Sequence, residues 1–228
     1  MELQDKNNQL QAKTNSFGYA MSRRKRSAIL SLCVLAAAAI VWFDHSHIAE
    51  RFRLAGRIEN TSSSSYDIAK YHRKIFEVVK VVDGDTIDID IPDGRHQHTR
   101  IRLWGVDTPE TKNPETGVMY FGPEASEFTK ESTLGKKVTI YLDEKHTRDK
   151  YDRLLAYIQL PSGEFLNKAL VAEGYAYADV RFKHEFYYKY QQLEASARKG
   201  KKGLWEKVTR EQLPQWLQRE RPELLLSK

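Results

Sequence analysis

Residues 82–104, VDGDTIDIDIPDGRHQHTRIRLW, carry the clearest evidence for the fold of this chain. Isoleucines alternate with aspartates up to Ile91, and apolar residues alternate with arginines from Thr99 to Trp104. A two-residue period is typical of a β-strand with one buried face, and the Pro-Asp-Gly sequence between the two runs favours a turn. Because a β-branched run at residues 75–82 precedes them, we predict a three-stranded meander.

Further along the chain, the pattern predicts two more strands and three helices, bounded by proline and glycine. The strands fall at residues 138–142 and 154–160, and the helices at residues 123–134, 166–173 and 184–199. Residues 71–206 are therefore predicted to form an α+β domain, mainly β, in which a five-stranded barrel carries three packed helices. For the C-terminal tail, residues 207–228, we expect at most one helix and no role in the chemistry.

An uncharged apolar run, residues 27–43, follows the basic cluster at residues 23–26. This arrangement is typical of a membrane anchor or a secretory signal. We interpret it as one transmembrane helix between a cytoplasmic N-terminus, residues 1–26, and a tether, residues 44–70, because basic residues favour the cytosolic side. The globular domain is then expected outside the cytosol, in a bacterial envelope. Cleavage within Ala36 to Ala39, which would secrete the domain, stays open.

The composition restricts the class of partner. The chain of 228 residues carries a net charge of +6, and its isoelectric point is near 9.2. A basic protein suits a polyanion such as nucleic acid, or an anionic membrane surface. The single cysteine, Cys33, excludes an intramolecular disulfide.

Three clusters of charged residues point to phosphodiester chemistry. That chemistry needs oxygen ligands for a cation, a general base that activates the attacking water, and guanidinium groups that bind the phosphate. Asp85 and Asp107 offer hard anionic oxygens, and Glu110 offers a base. Arg102 and Arg153 offer planar forks that meet two phosphate oxygens at once. Each cluster alone is also typical of a turn, a helix cap or a solvated loop, so the prediction rests on their combination.

The same residues lie in four ordered motifs between residues 75 and 205. These are V-x-D-G-D-T, R-L-x-x-V-D-T-P-E-T-K, Y-F-G-P-E-A-S-x-F-T and D-K-Y-x-R-x-L-A-Y. In sequence and order the motifs resemble the staphylococcal nuclease (thermonuclease) family. The resemblance implies an OB-fold barrel that binds one Ca²⁺ through Asp85, Asp107 and the backbone carbonyl of Thr108.

The resemblance also implies the other roles in the site. Glu110 would be the general base or would position the water, and Arg102 and Arg153 would bind the phosphate and stabilise its transition state. Lys150 and Tyr151 match residues that flank the bound nucleotide. The expected reaction is hydrolysis of DNA and RNA, with single strands favoured, to 3′-phosphate products.

The chain departs from the family pattern in two places. Asp152 stands where the family has glycine, which adds a negative charge and requires an awkward backbone angle, so we expect lower activity. Val180 and Phe182 fall where well-known members carry nucleotide-packing tyrosines. Tyr175 and Tyr177 are candidates to replace them by stacking on bases, with packing in the core as the alternative.

Two other functions fit parts of the sequence. OB-like barrels also bind single-stranded nucleic acid without cleaving it, so a catalytically weak or inactive binding module is the alternative. A structural envelope protein is the third possibility, based on the anchor and the basic charge. The joint presence of the carboxylates and arginines favours the enzyme.

Overall fold

A computed structural model describes residues 64–111 and 117–225. The strands are β1 (Lys74–Asp83), β2 (Thr86–Ile89), β3 (Thr99–Leu103), β4 (Val106–Asp107), β5 (Lys137–Leu142), β6 (Leu154–Gln159) and β7 (Tyr177–Ala178). The α-helices with both ends described are α1 (Gly122–Thr133), α2 (Leu166–Ala172), α3 (Tyr187–Lys199) and α4 (Gln215–Glu220). Short 3₁₀ turns follow at Gly203–Glu206, Arg210–Gln212 and Pro222–Leu225.

Five strands close into a barrel in the order β1, β2, β3, β6, β5, while β4 and β7 form a separate two-stranded sheet. This confirms the predicted five-stranded barrel with packed helices. Strands β1 to β3 form the predicted antiparallel meander, whereas β3 and β6 run parallel, with Arg102 opposite Leu155. Parallel neighbours need a long connection, which α1 and β5 provide here. The parallel pair brings the loop before β6 alongside the strand that carries Arg102.

The barrel interior holds apolar residues from all the predicted strands that follow the first, including those that the alternation places on one face of β2 and β3. Each fully buried aliphatic side chain contributes about 1.5–3 kcal/mol. The side chains with exposure of 1% or less include Ile87, Ile89, Ile101, Leu103, Ile140, Leu154 and Ile158.

Strand β2 differs from its prediction in length and in exposure. It ends at Ile89 because the chain turns there: the amide of Ile91 donates to the carbonyl of Ile89 over 2.9 Å, and Pro92 has no amide proton. All four residues of β2 are buried, so the predicted polar outer face is wrong for Asp88. Arg100 on β3 covers its carboxylate and donates to it over 2.8 and 3.0 Å.

The three predicted helices are present with shifted ends. α1 has proline at its start, and the glycine after its end, Gly135, has a φ of +69°, as expected for these two positions. α3 begins at Tyr187 rather than at His184. The His184 ring instead packs against the rings of Trp104 and Tyr157.

The described part of the C-terminal tail packs against the domain. It buries a second apolar cluster that contains Tyr177, Leu204, Leu213, Leu217 and Leu224. Arg221, just after α4, forms an ion pair with Glu194, which is fully buried on α3. An unpacked tail would leave these leucines in water, which is why the segment docks.

The chain before the barrel also contacts it. Residues 64–71 are helical, although the sequence predicts a tether up to residue 70. Asp67 is 1% exposed and accepts hydrogen bonds from Nε and Nη2 of Arg148 over 2.9 and 2.8 Å. The predicted transmembrane run at residues 27–43 lies outside the described residues. Within residues 64–111 and 117–225, no helix has the length and apolar composition to cross a membrane.

Candidate active site

Two segments of the chain meet at one edge of the barrel. The amide of Leu103, at the end of β3, donates to the carbonyl of Asp85 in the β1–β2 turn over 2.8 Å. Gly105 then reverses the chain with a φ of +78°, where a Cβ atom would lie 2.3 Å from the His184 ring. Only glycine fits both conditions. Because the chain reverses direction at Gly105, β4 runs back and brings Asp107 toward the β1–β2 turn.

Arg102 joins the two predicted ligand carboxylates. Its Nη1 lies 2.7 Å from Oδ2 of Asp85, and its Nη2 lies 2.5 Å from Oδ1 of Asp107. Nη1 also donates to the carbonyl of Val106 over 2.9 Å. The Arg102 side chain is 12% exposed, so these charges interact in a largely desolvated setting.

Asp85 is held by three further donors. Its Oδ2 accepts hydrogen bonds from the amide and the hydroxyl of Thr108 over 2.9 and 3.1 Å, and its Oδ1 accepts one from the Thr86 hydroxyl over 3.0 Å. Thr108 therefore lies directly against the first predicted ligand. Gly84 permits this approach, because a Cβ there would lie 2.8 Å from the Thr108 hydroxyl oxygen.

Asp107 has two partners that the sequence prediction missed. Nη2 of Arg181 lies 3.3 Å from its Oδ1, and the indole Nε1 of Trp216 donates to its Oδ2 over 2.7 Å. Arg181 follows β7, and Trp216 lies on α4, in the tail to which the sequence assigned no chemistry. The one local signal was Trp216 itself, since a large aromatic side chain beside Leu213 and Leu217 favours a packed segment.

Glu110 lies in a region of excess negative charge. Burial raises its pKa to about 7, and the charges of Asp83 and Asp85 add to this shift. Burial also raises the pKa of Asp107, although Arg102 opposes the shift. These carboxyl groups would be stabilised by an added cation.

The remaining predicted residues form a second group in the loop before β6. Arg153 donates from Nε to Oδ2 of Asp149 over 2.7 Å, and its guanidinium lies 5.5 Å from the Tyr151 ring. Nζ of Lys150 lies 4.9 Å from the same ring, which is 67% exposed. The parallel pairing of β3 with β6 places the loop that carries this group beside the strand of Arg102. Among the described residues, the side-chain contacts of Arg153 with Asp149 and Tyr151 lie within its own loop.

Asp152 adopts the backbone conformation that its position predicts. Its φ is +64°, in the left-handed region. Nη1 of Arg148 donates to its carbonyl over 3.0 Å and lies 3.4 Å from its Oδ1. The added negative charge is therefore directed toward Arg148.

The aromatic candidates separate into two groups. Phe182 is 55% exposed and stacks on Trp104, with ring centroids 6.0 Å apart. Tyr177 is fully buried, and Tyr175 stacks on Phe128 with centroids 4.3 Å apart. Tyr175 and Tyr177 therefore pack inside the protein, which is the alternative to stacking on bases. Of these three rings, that of Phe182 is open to solvent.

The oxygen atoms at this edge fit a hard divalent cation. Across the described ranges, no group of three or more His, Cys, Asp or Glu side chains is placed to hold a metal ion. Two carboxylates nevertheless converge on one guanidinium, with Thr108 beside them. Carboxylate and carbonyl oxygens are the donors that such a cation accepts, and water completes its coordination.

Comparisons with known proteins identify the family of this chain. Residues 100–207 match the family described as Staphylococcal nuclease homologue. The thermonuclease of Staphylococcus hyicus is 40% identical over 154 residues, which cover 64% of this chain and 85% of that protein. The thermonuclease of Staphylococcus intermedius is 41% identical over 131 residues, which cover 57% of this chain and 75% of that protein. Endonuclease YncB of Bacillus subtilis (strain 168) is 34% identical over 143 residues, which cover 61% of this chain and 66% of that protein. This chain belongs to the staphylococcal nuclease family and is a nuclease, a hydrolase of phosphodiester bonds.

Proposed function

We propose that the enzyme is a calcium-dependent nuclease that cleaves DNA and RNA, with single strands favoured, and leaves 3′-phosphate ends. The observation that carries the proposal is the contact of one guanidinium, that of Arg102, with the carboxylates of Asp85 and Asp107. The family and the names of its relatives, two thermonucleases and an endonuclease, support the reaction class.

The proposed cation ligands are Asp85, Asp107 and the backbone carbonyl of Thr108. A bound Ca²⁺ supplies positive charge for the phosphate and lowers the cost of ionising water. Burial raises the pKa of Asp107, although Arg102 and Arg181 oppose the shift, and a bound cation would favour its ionised form.

Arg102 and Arg153 are the proposed phosphate ligands. Each guanidinium has five N–H donors in a planar fork, so phosphate oxygens can share donors with the carboxylates. Arg102 is 12% exposed and Arg153 is 28% exposed, and charge-assisted hydrogen bonds are strong at such partly desolvated positions. Both groups would stabilise the charge that develops on phosphorus-bound oxygens.

Glu110 is the proposed general base. Its pKa of about 7 lets it accept a proton from water at neutral pH. The water oxygen forms a bond to phosphorus, the bond from phosphorus to the 5′ oxygen breaks, and the leaving oxygen takes up a proton. The phosphate stays on the 3′ oxygen.

Lys150 and Tyr151 are proposed to contact the nucleotide. The ring of Tyr151 is exposed and has cationic groups on both Lys150 and Arg153 within 5.5 Å of its centroid. An open aromatic ring beside cations suits an unpaired base and its phosphate.

The test is cleavage of a single-stranded DNA oligonucleotide by the full-length chain with added Ca²⁺, with Mg²⁺ or with a chelator. We expect calcium-dependent cleavage, absent in Asp85→Ala and reduced about 10²–10⁴-fold in Glu110→Gln, because the base is lost. Asp90→Asn is the matched control, since that carboxylate is 64% exposed and pairs with His98. Wild-type rates in Glu110→Gln, or cleavage that persists in chelator, would contradict the mechanism.

We also propose that residues 27–43 anchor the enzyme in a membrane with the nuclease domain outside the cytosol. The apolar run after a basic cluster supports this orientation. Full-length protein is expected to stay with membranes during carbonate extraction. Recovery of a shortened, soluble product would instead indicate a cleaved signal.

A further inference from the structure

The carboxylate of Asp107 is surrounded by one donor from nearby in the chain, Arg102, and by two from distant parts, Arg181 and Trp216. Oδ1 meets Arg102 at 2.5 Å and Arg181 at 3.3 Å, while Oδ2 accepts the Trp216 indole N–H over 2.7 Å. Asp107 and Trp216 are 109 residues apart. The two oxygens thus face different partners, which fixes the plane of the carboxylate.

Trp216 is itself held in place. The guanidinium of Arg181 lies 4.2 Å from the indole centroid, a cation–π contact. Arg181 in turn makes a two-point contact with Asp179, with both hydrogen bonds 2.8 Å long. Leu217, the next residue after Trp216, is fully buried.

We propose that α4 is part of the active site and that Trp216 is a positioning residue, which holds Asp107 in the orientation that binds the cation. The inference rests on the proposed function, in which Asp107 is a cation ligand. The torsion that rotates a carboxylate is broad and soft, so a free Asp107 would lose orientational freedom when it binds a cation. The indole N–H restricts that rotation beforehand.

The chemistry of the indole suits this role. It is a neutral donor, so it orients the carboxylate without bringing a positive charge that would repel a cation. Each carboxylate oxygen has two lone-pair directions, so a hydrogen bond to Oδ2 leaves room for a further ligand. Hydrogen bonds of this kind to metal-binding side chains typically contribute about 10–100-fold to metal affinity.

The experiment compares calcium binding by full-length wild-type protein and Trp216→Phe, by titration calorimetry without substrate. The phenyl ring retains an apolar body and a face for Arg181 but has no N–H. We expect affinity for Ca²⁺ to fall about 10–100-fold, and the calcium concentration for half-maximal cleavage to rise in parallel. The rate at saturating calcium should stay close to wild type, whereas a structural defect would lower it.

Trp205→Phe is the matched control. Trp205 packs against the same apolar cluster, and its buried indole nitrogen has no hydrogen-bond partner among the described residues. Its substitution should leave calcium affinity unchanged. If Trp216→Phe lowers the melting temperature more than this control does, replacing Trp216 with benzothienylalanine removes the N–H at nearly constant shape.

The outcomes separate the two proposals. Unchanged or tighter calcium binding in Trp216→Phe, beside lost binding in Asp107→Asn, would overturn the positioning role and leave the calcium assignment intact. Tighter binding would mark the contact as inhibitory. A wild-type protein that binds no calcium, or Asp107→Asn that binds it normally, would overturn the calcium assignment and this inference with it.

Discussion

Asp152 shows how a single residue departs from its family pattern without entering the site. Its backbone is left-handed, with φ at +64°, and its carboxylate is 86% exposed near Arg148. Aspartate tolerates this conformation better than residues that lack a short polar side chain. The structure therefore gives no reason for Asp152 to weaken phosphate binding by Arg153.

At this position we expect Asp152→Ala to destabilise the protein by about 1 kcal/mol, because alanine is strained in the left-handed region. Asp152→Gly should change stability by less than about 0.5 kcal/mol, because relief of strain and the greater freedom of the unfolded chain nearly cancel. Urea unfolding measures both values, and cleavage by Asp152→Gly should match wild type. Glu164→Ala is the control: its carboxylate is 52% exposed, and its φ is not positive. Equal losses in Asp152→Ala and Glu164→Ala would contradict the strain argument.

At the scale of elements, Arg148 links three segments. It donates to Asp67 in the helical segment before β1, to Asp93 after β2 over 2.7 and 3.1 Å, and to the carbonyl of Asp152. The Arg148 side chain is 15% exposed. This network holds the loop that carries Lys150, Tyr151 and Arg153.

We expect Arg148→Met to lower the free energy of unfolding by about 3–5 kcal/mol, because Asp67 would keep a buried charge without a partner. The double variant Asp67→Asn with Arg148→Met should lose less than the single variant, since the unpaired charge is also removed. Chemical denaturation of both provides the measurement. Lys202→Met breaks the exposed pair with Glu173 and should cost no more than about 1 kcal/mol. A double variant no more stable than Arg148→Met would argue against the buried-charge explanation.

At the scale of the whole molecule, His184 makes stability depend on pH. Burial between the barrel and α3 lowers its pKa to about 4, with a weaker opposing effect of Asp179 and Asp143. The unfolded chain takes up this proton below about pH 6.5, whereas the folded protein does so only near pH 4. The unfolded state thus binds more protons in this window, and stability falls as the pH falls through it.

We expect protonation of His184 to change the free energy of unfolding by roughly 1–2 kcal/mol over this pH range. This value is smaller than the full pKa shift implies, because the ring is partly exposed. The raised pKa values of buried Asp107 and Glu194 have the opposite effect on stability as the pH falls. The test therefore compares the pH dependence of histidine variants with that of the wild type. Between about pH 7 and about pH 4.5, unfolding free energy should fall less in His184→Gln than in wild type. His146→Gln, at a side chain that is 59% exposed, should retain the wild-type slope. Identical slopes in both variants would show that His184 does not control this dependence.

Local patterns in the sequence are sufficient to predict most of the secondary structure. Two-residue alternation located β2 and β3, a β-branched run located β1, and apolar runs located β5 and β6. Proline and glycine marked the ends of α1. Asp85, Arg102, Asp107 and Thr108 were identified from short motifs, and the structure places them in contact. The predictions of strands and helix ends succeed because backbone periodicity and turn chemistry are properties of neighbouring residues.

The distant groups that share the site became evident from the tertiary structure. It placed Arg102 between two carboxylates, paired β3 with β6, and brought Trp216 to Asp107 across 109 residues. The early end of β2 and the burial of Asp88 likewise follow from contacts with other segments. Such contacts depend on how packed elements orient and on which buried charges need partners, and no periodicity within one segment contains that information.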